Sequence, residues 1–428
     1  MIHVKEHKEP QHNLQSEKYL NPKKLYLPLT QHTGKPSVTC VEIGEMVKEA
    51  QVIGKENGFI SACLHAPKKG KVLSLDQWYH PILKKQDSIL LQCESQSKQY
   101  SPRKNIEKLT KEELLEIIKN SGIVGMGGAA FPTHVKLNPP KKIETLIING
   151  CECEPYLATD YRLMVENLKE IFKGIEIISK LIEPEEVIFA IEKNKIAVLK
   201  ELNRLIATKK FKLPKPSVMV LKSTYPQGGE KQLIYSTKRK KVPSTKLPFD
   251  VGCLVQNVAT CFAIYEAVYF NKPLIERLVS FCGDALASPK NIWVKIGTTI
   301  KELVDEKILE LKSEPKKIIF GGPMTGVGLD NLEYPILKAT GGVLFLSNVV
   351  EKVPEAPCIS CARCVDTCPM DLLPLEYVKR VKKDEFESLD DFNIKDCIEC
   401  GCCAYACPAK IPIMHYIKTG KAYALNNK

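Results

Sequence analysis

Residues 358–369 read CISCARCVDTCP and residues 397–408 read CIECGCCAYACP. Each stretch is Cys-x2-Cys-x2-Cys-x3-Cys-Pro, with Cys358, Cys361, Cys364 and Cys368 in the first and Cys397, Cys400, Cys403 and Cys407 in the second. Three thiolates so closely spaced on a tight loop reach three corners of one iron–sulfur cube. The fourth, turning away before a proline, ligates the cube of the other repeat. The spacing therefore predicts two 4Fe–4S clusters, one on Cys358, Cys361, Cys364 and Cys407, the other on Cys397, Cys400, Cys403 and Cys368. Structural zinc sites use two cysteine pairs across a longer loop, a different pattern. Cys402 is an extra thiol that competes with Cys403, but only Cys403 keeps the repeat. Residues 369–396 are too many for a hairpin, and Leu375, Val378 and Val381 predict helix there. The segment reads as an electron-transfer domain.

Working outward, nine of the 17 cysteines fall between Cys358 and Cys407. A disulfide scaffold would be short and secreted, whereas this chain has 428 residues. Its first residues, with His3, Lys5, Glu6, His7, Lys8 and Glu9, lack the apolar core of a signal peptide. The most apolar run, Val251 to Tyr265, is interrupted by Gln256, Asn257 and Thr260, which argues against a membrane span. A cytosolic, multidomain protein is the expectation. The net charge of +12 lies upstream of the thiol segment, since residues 353–428 hold 10 basic and 11 acidic residues. The run Lys238-Arg239-Lys240-Lys241 contains no aromatic residue and reads as a solvated loop, which argues against nucleic acid as a partner.

The rest of the chain divides by composition. Residues 1–27 read as a polar arm. Residues 28–100 are short apolar runs punctuated by glycine, and Val38–Val47 with Ala66–Val72 resemble a lipoyl- or biotinyl-type flattened β sandwich. Where such a carrier bears its lysine, this chain has Gly58-Phe59-Ile60-Ser61-Ala62, so the unit is expected to be structural. Residues 101–270 open with a helix over 109–119, for which Thr110 and Glu113 form a capping box. Buried strands are predicted at Thr145–Asn149 and Ser217–Leu221, with helices over 162–181 and 192–206, hence an α/β unit with a parallel sheet. Residues 271–352 return to strands and turns, and a proline-bearing linker, Val353–Pro357, opens the domain over 353–428.

Three polar, glycine-bearing loops follow apolar strands: Asn149–Pro155, Tyr225–Glu230 and Gln256–Thr260. Strand ends of α/β sheets present ligand-binding groups, and a cofactor pocket needs few polar fixers in apolar surroundings. The segment Gly122-x2-Gly125-x-Gly127-Gly128-Ala129-Ala130-Phe131-Pro132 follows a helix, so it is not a dinucleotide fingerprint. Its bare backbone can nevertheless approach a phosphate or a flat ring. Residue by residue, plainer readings stand beside these: Glu152 and Glu154 as a solvated strand end, Phe131 as core, Cys151 and Cys153 as packing thiols.

Together these segments resemble the flavin- and NADH-binding subunit of respiratory complex I. The whole chain, from Leu29-Thr30-Gln31-His32 through Gly297-Thr298-Thr299 and Gly321-Gly322-Pro323-Met324 to both thiol motifs, is similar to the RnfC family of Rnf electron-transport complexes. That resemblance implies a Rossmann-like flavin domain and a β-grasp (SLBB) module over 271–352. It implies FMN on Gly125, Gly127, Gly128, Lys136, Asn149, Glu152, Tyr225, Gly228, Asn257 and Thr260, and NAD(H) at Phe131, Glu154 and Glu230. It further implies a peripheral subunit on the cytoplasmic face of the bacterial inner membrane. Its partners would be the membrane subunits of the complex and the ferredoxin-reactive subunit, with ferredoxin served indirectly. A cobalamin-reducing flavin/iron–sulfur protein of bacterial microcompartments shares the core motifs and is the alternative. The chain departs from the complex I pattern at Met126 for arginine, Cys151 for aspartate and Gly229 for glutamate, which removes polar partners for FMN. Ala130 stands for glycine and adds a methyl.

Overall fold

The computed structural model describes residues 1–95, 98–208, 214–349 and 354–426. After α1 (Glu9–Asn13) and β1 (Glu17–Tyr19), the chain builds two small sheets. They comprise β2 (Lys24–Pro28), β3 (Val38–Thr39), β4 (Met46–Val47), β5 (Val52–Lys55), β6 (Leu64–His65), β7 (Gly70–His80) and β8 (Lys84–Cys93). The strand orders are β2-β8-β7-β4 and β3-β5-β6, with antiparallel pairing throughout. Side chains alternate across each strand, so Leu25 and Leu27 of β2 and Ile89 and Leu91 of β8 fill the interior. At the turn where a carrier would bear its lysine, Phe59 is exposed. The stretch expected to be a polar arm is instead tied down. β1 joins a later sheet in parallel, β2 belongs to the first sheet, and Ile2 bridges Tyr225.

α2 (Lys111–Asn120) starts at Thr110, whose hydroxyl accepts from the Glu113 N–H while the Glu113 carboxylate accepts from the Thr110 N–H. This is the capping box expected from the spacing. Beyond α3 (Thr133–Lys136) come four strands: β9 (Thr145–Asn149), β10 (Glu186–Glu192), β11 (Ser217–Leu221) and β12 (Cys253–Asn257). All neighbours are parallel, in the order β11-β10-β9-β12. The connections are α4 (Thr159–Ile182), α5 (Ile196–Thr208) and α6 (Glu230–Lys238), and α7 (Val258–Phe270) leaves β12. The helix placed over 192–206 begins at Ile196, because Glu186–Glu192 is a buried strand. A short apolar run does not declare its period, and this one is strand. The chain winds from β9 through β10 to β11, then crosses back to set β12 on the far side of β9. The order reverses between β9 and β12, and such a switch point opens a crevice at the strands' carboxyl ends.

The next unit is a hairpin, β13 (Glu276–Cys282) and β14 (Lys290–Lys295), then α8 (Ile300–Asp305), β15 (Lys317–Phe320), β16 (Val327–Leu329) and β17 (Gly342–Leu346). The sheet runs β1-β14-β13-β17-β15-β16, with β13 and β17 parallel at its centre. Ile300 and Leu303 of α8 cover Phe281, Val294 and Phe345.

Of the linker, Pro354–Pro357 are irregular chain, while Val353 lies outside the described residues. The thiol domain holds α9 (Arg363–Asp366), α10 (Pro374–Val381), α11 (Cys402–Ala406) and α12 (Ile413–Asn426). The helix expected between the thiol motifs is α10, followed by two 3-10 segments at Phe386–Phe392 and Ile394–Asp396. The sandwich and the α/β unit share one core, whereas the later sheet and the thiol domain each have their own. Among the described residues, no helix is long and apolar enough to cross a membrane.

Candidate functional site

The switch-point crevice is floored by two asparagines in register, Asn149 ending β9 and Asn257 ending β12. The Asn257 side-chain oxygen accepts from the N–H groups of Ala259 at 2.8 Å and Thr260 at 3.4 Å, capping α7, and its amide donates to Asp160 at 2.7 Å. The Asn149 amide donates to the Gly228 carbonyl at 2.9 Å, and its oxygen accepts from the Cys151 N–H at 3.0 Å. Above lies the glycine loop, closed by Gly125 N–H donating to the Phe131 carbonyl at 2.8 Å. Met126 N–H donates to the Thr260 hydroxyl at 3.0 Å and so ties the loop to the first turn of α7. Gly127, Gly128 and Ala129 are exposed. Gly128, at φ +124°, has nothing within 4 Å of where a side chain would start, whereas a Cβ at Gly127 would lie 3.5 Å from that of Asn257. A bare loop in open space beside a helix N-terminus is a place for a phosphate and a flat ring. Phe131 is half-buried at its edge, and Lys136 pairs with Glu230 at 2.6 Å.

Three residues that no sequence motif marks hold this loop. Thr33 of the sandwich donates its hydroxyl to the Ala129 carbonyl at 2.6 Å and its N–H to the Ala130 carbonyl at 3.2 Å. Lys338 donates to the carbonyls of Gly122 at 2.7 Å and Cys63 at 2.6 Å. Arg277 donates to the Met126 carbonyl at 3.2 Å. Burial lowers the Lys338 ammonium to about 8 and the Arg277 guanidinium to about 10. Thr33 adjoins the Leu29–His32 segment, which is its only signal; nothing in spacing marks Lys338 or Arg277.

Three of the named cofactor residues point elsewhere. The buried Glu152 carboxylate accepts from the Asp160 and Tyr161 N–H groups at 3.0 and 3.2 Å and from the Thr159 hydroxyl at 3.0 Å, which caps α4. Glu154 accepts from the Met324 and Thr325 N–H groups at 2.7 and 3.2 Å, and burial holds its carboxyl above the usual range. Gly322 is required there, because any side chain would overlap Glu154. Tyr225 donates its hydroxyl to the Cys400 carbonyl at 2.8 Å, on the second thiol loop. The crevice itself gathers Gly125, Gly127, Gly128, Phe131, Asn149, Gly228, Asn257 and Thr260. Beneath it, burial and then Glu152 push the Asp160 carboxyl up to about 7 against the pull of Arg277.

In the thiol domain, Cys368, Cys397, Cys400 and Cys403 line one cavity with Leu372, Tyr377 and Ile417. Cys402 reaches the same wall and packs on Tyr225. Burial drives the Cys397 thiol up to about 11 and Cys403 to about 12, with neighbouring thiols adding to it. On the other side, burial raises Cys364 and the nearby Cys407 and Cys358 add to the rise. Each ligand set drawn from the spacing is thus brought together in part or whole, including both cross-overs, Cys368 and Cys407. Among the described residues, no three His, Cys, Asp or Glu side chains converge closely enough to hold a single metal ion. Buried thiolates crowded in an apolar cavity need a cationic partner in their midst, which the iron of a cluster supplies.

Fold and sites define a flavin- and iron–sulfur-binding redox protein. Residues 118–266 match the Nuo51 FMN-binding domain, residues 357–411 a 4Fe-4S dicluster domain, and residues 2–96 the RnfC barrel sandwich hybrid domain. The chain is 41% identical over 382 residues to the RnfC protein of the proton-translocating ferredoxin:NAD(+) oxidoreductase complex of Clostridium ljungdahlii, covering 88% of this chain and 82% of that protein. It is 34% identical to the counterpart in the Na(+)-translocating complex of Acetobacterium woodii, covering 86% and 84%. Against the counterpart in the ion-translocating oxidoreductase complex of Pseudomonas aeruginosa, the identity is 36%, over 86% of this chain and 48% of that longer one. Among solved structures, an NAD+-reducing [NiFe]-hydrogenase in the air-oxidized state shares the fold at 17% identity and TM-score 0.50, covering 72% of this chain and 63% of the other. The chain belongs to the RnfC family, whose members are subunits of ion-translocating ferredoxin:NAD+ oxidoreductase complexes.

Proposed function

We propose that this chain is the peripheral redox subunit of such a complex, exchanging hydride with NAD(H) and passing electrons singly through two 4Fe–4S clusters. FMN supplies the junction, since a flavin takes up a hydride as an electron pair and releases electrons one at a time. The observation that carries this reading is that two sites meet on one loop. Asn149 on the crevice floor holds the Gly228 carbonyl, and three residues earlier Tyr225 holds Cys400 of the second thiol loop.

The chain's own residues divide the task. Gly125, Gly127 and Gly128 let the backbone approach the flavin, and Asn149, Asn257 and Thr260 fix the loop and strand ends that orient it. Lys136, shared with Glu230, is the cation for its phosphate. Phe131 offers a ring for stacking on the nucleotide. Cys358, Cys361, Cys364 and Cys407 hold one cluster, and Cys397, Cys400, Cys403 and Cys368 the other. Glu152 and Glu154 act as supports, through the α4 cap and the loop at Met324. Residues 271–352, with a hairpin, a helix and a parallel closing strand, are assigned as an SLBB-type β-grasp module, and domain boundaries fall near residues 27, 100, 270 and 352. The partners are the membrane subunits and the ferredoxin-reactive subunit, met at the cytoplasmic face of the bacterial inner membrane.

Anaerobically purified protein should contain one FMN and about eight irons per chain, and NADH should bleach its flavin absorbance. Protein with full iron but no flavin, or flavin that NADH leaves oxidised, would sink the proposal.

A further inference from the structure

The loop that follows β11 has two faces. One borders the crevice, through the Gly228 carbonyl that Asn149 holds. The other is buried against the thiol domain, and its contacts there all fall beside the second ligand set. Tyr225, only 3% exposed, donates its hydroxyl to the Cys400 carbonyl at 2.8 Å. Gln232 in the following helix donates to the carbonyl of Pro369, next to Cys368, at 2.8 Å. A Cβ at Gly229 would lie 3.8 Å from Ile398, and one at Gly401 would lie 2.7 Å from the Met324 carbonyl. Tyr225 is itself clamped, since its N–H and carbonyl both pair with Ile2 at 2.8 and 2.9 Å. By contrast, Cys358 and Cys361 of the first set are exposed.

We propose that Tyr225 is a positioning residue that seats the second thiol loop on the flavin domain, so that the cluster of Cys397, Cys400, Cys403 and Cys368 is the one electrically coupled to the crevice. The inference rests on the flavin and iron–sulfur reading given above. It differs from that reading in giving Tyr225 to a cluster rather than to the flavin. The hydroxyl is the telling group: a tyrosine serving only as packing needs its ring, whereas here the O–H restrains the backbone of a ligand. Hydrogen bonds and solvent access around a cluster's ligands set its potential. The redox step is unchanged in its balance. NADH loses a hydride to become NAD+, and the two electrons leave the flavin one at a time, each reducing one cluster by one electron, with the hydride's proton released.

The test compares wild type with Tyr225→Phe and Gln232→Leu, using the full chain prepared anaerobically. FMN and iron contents are measured first, then the midpoint potentials of both clusters by dithionite titration followed by electron paramagnetic resonance. That readout needs neither NADH nor turnover. Tyr225→Phe should retain flavin and iron, shift the potential and spectrum of one cluster only, and slow cluster reduction by NADH roughly fivefold, the scale of one hydrogen bond. Gln232→Leu should shift the same cluster to a smaller degree. Loss of flavin from Tyr225→Phe would return the residue to the flavin pocket and overturn the inference. Potentials, spectrum and rate all equal to wild type would overturn it too. Wild-type protein that binds no flavin would instead sink the underlying reading, and that outcome is visible in the first measurement.

Discussion

The two thiol loops share one spacing and meet different surroundings. Cys358 and Cys361 are exposed, whereas Cys400, Cys402 and Cys403 are buried, and Tyr225, Met324 and Ile398 close over the second loop. Spacing decides which cofactor a loop can hold; packing against the next domain decides how dry and how firmly seated that cofactor is. The largest effect that can break this contrast comes from removing one ligand on each side. Cys361→Ser and Cys400→Ser should each lower iron from about eight to about four per chain. Only Cys400→Ser should also lower the thermal unfolding temperature clearly, because its loop is part of a buried interface. Cys403→Ser should lose the same iron while Cys402→Ser keeps it. Equal unfolding temperatures for Cys361→Ser and Cys400→Ser would end the comparison.

The second effect sets the crevice against the thiol loops, for the crevice is braced by a buried ammonium. Lys338 has a pKa near 8 in the fold, against 10.5 for the free side chain, because burial disfavours its charge. The unfolded chain therefore binds more proton between those values. On this group's account stability is lowest below pH 8 and rises as pH climbs from 8 toward 10.5, by on the order of 3 kcal/mol at 1.36 kcal/mol per unit. Urea unfolding across that range should show the rise in wild type and lose it in Lys338→Met. A slope unchanged by the substitution would remove Lys338 as its source.

These two sites are not equally legible in the sequence. The thiol ligands can be read from spacing because each motif carries its own loop, and the Thr110–Glu113 capping box is equally local. The crevice needs Asn149 and Asn257 side by side, although they are over a hundred residues apart. Only the crossing of the chain to the far side of β9 creates that pairing. Lys338, Arg277 and Thr33 reach the glycine loop from two other units, so no local pattern points to them. Tyr225 and Glu154 stand out in the sequence as residues with a task, yet the motif does not tell which surface they turn to. The strand Glu186–Glu192 stays hidden because a short apolar run carries no periodicity.

Asn257 gives a smaller and more selective effect than Lys338. Its oxygen caps α7 and its amide satisfies the buried Asp160. Asn257→Ala should cost about 1–2 kcal/mol through the lost cap and reduce bound FMN, while iron stays at the wild-type level. Flavin analysis beside an iron count checks this. Iron lost together with flavin would mean that crevice and clusters do not behave as separable sites.

The smallest effect sharpens the claim that the buried contacts, not the charged rim, seat the thiol domain. Lys241 meets Asp371 at 3.1 Å across the same interface that Tyr225 crosses. Both side chains are largely exposed, at 72% and 79%. An ion pair so wet gains little Coulomb energy, is screened by salt, and must immobilise two flexible side chains. Lys241→Ala should therefore change stability by less than about 0.5 kcal/mol and leave both cluster potentials where they were, whereas Tyr225→Phe moves one of them. Measured side by side at low and high salt, the two variants separate steering charge from seating. If Lys241→Ala shifted a cluster potential as far as Tyr225→Phe does, the rim would share in holding the second loop, and its burial would no longer explain the difference between the repeats.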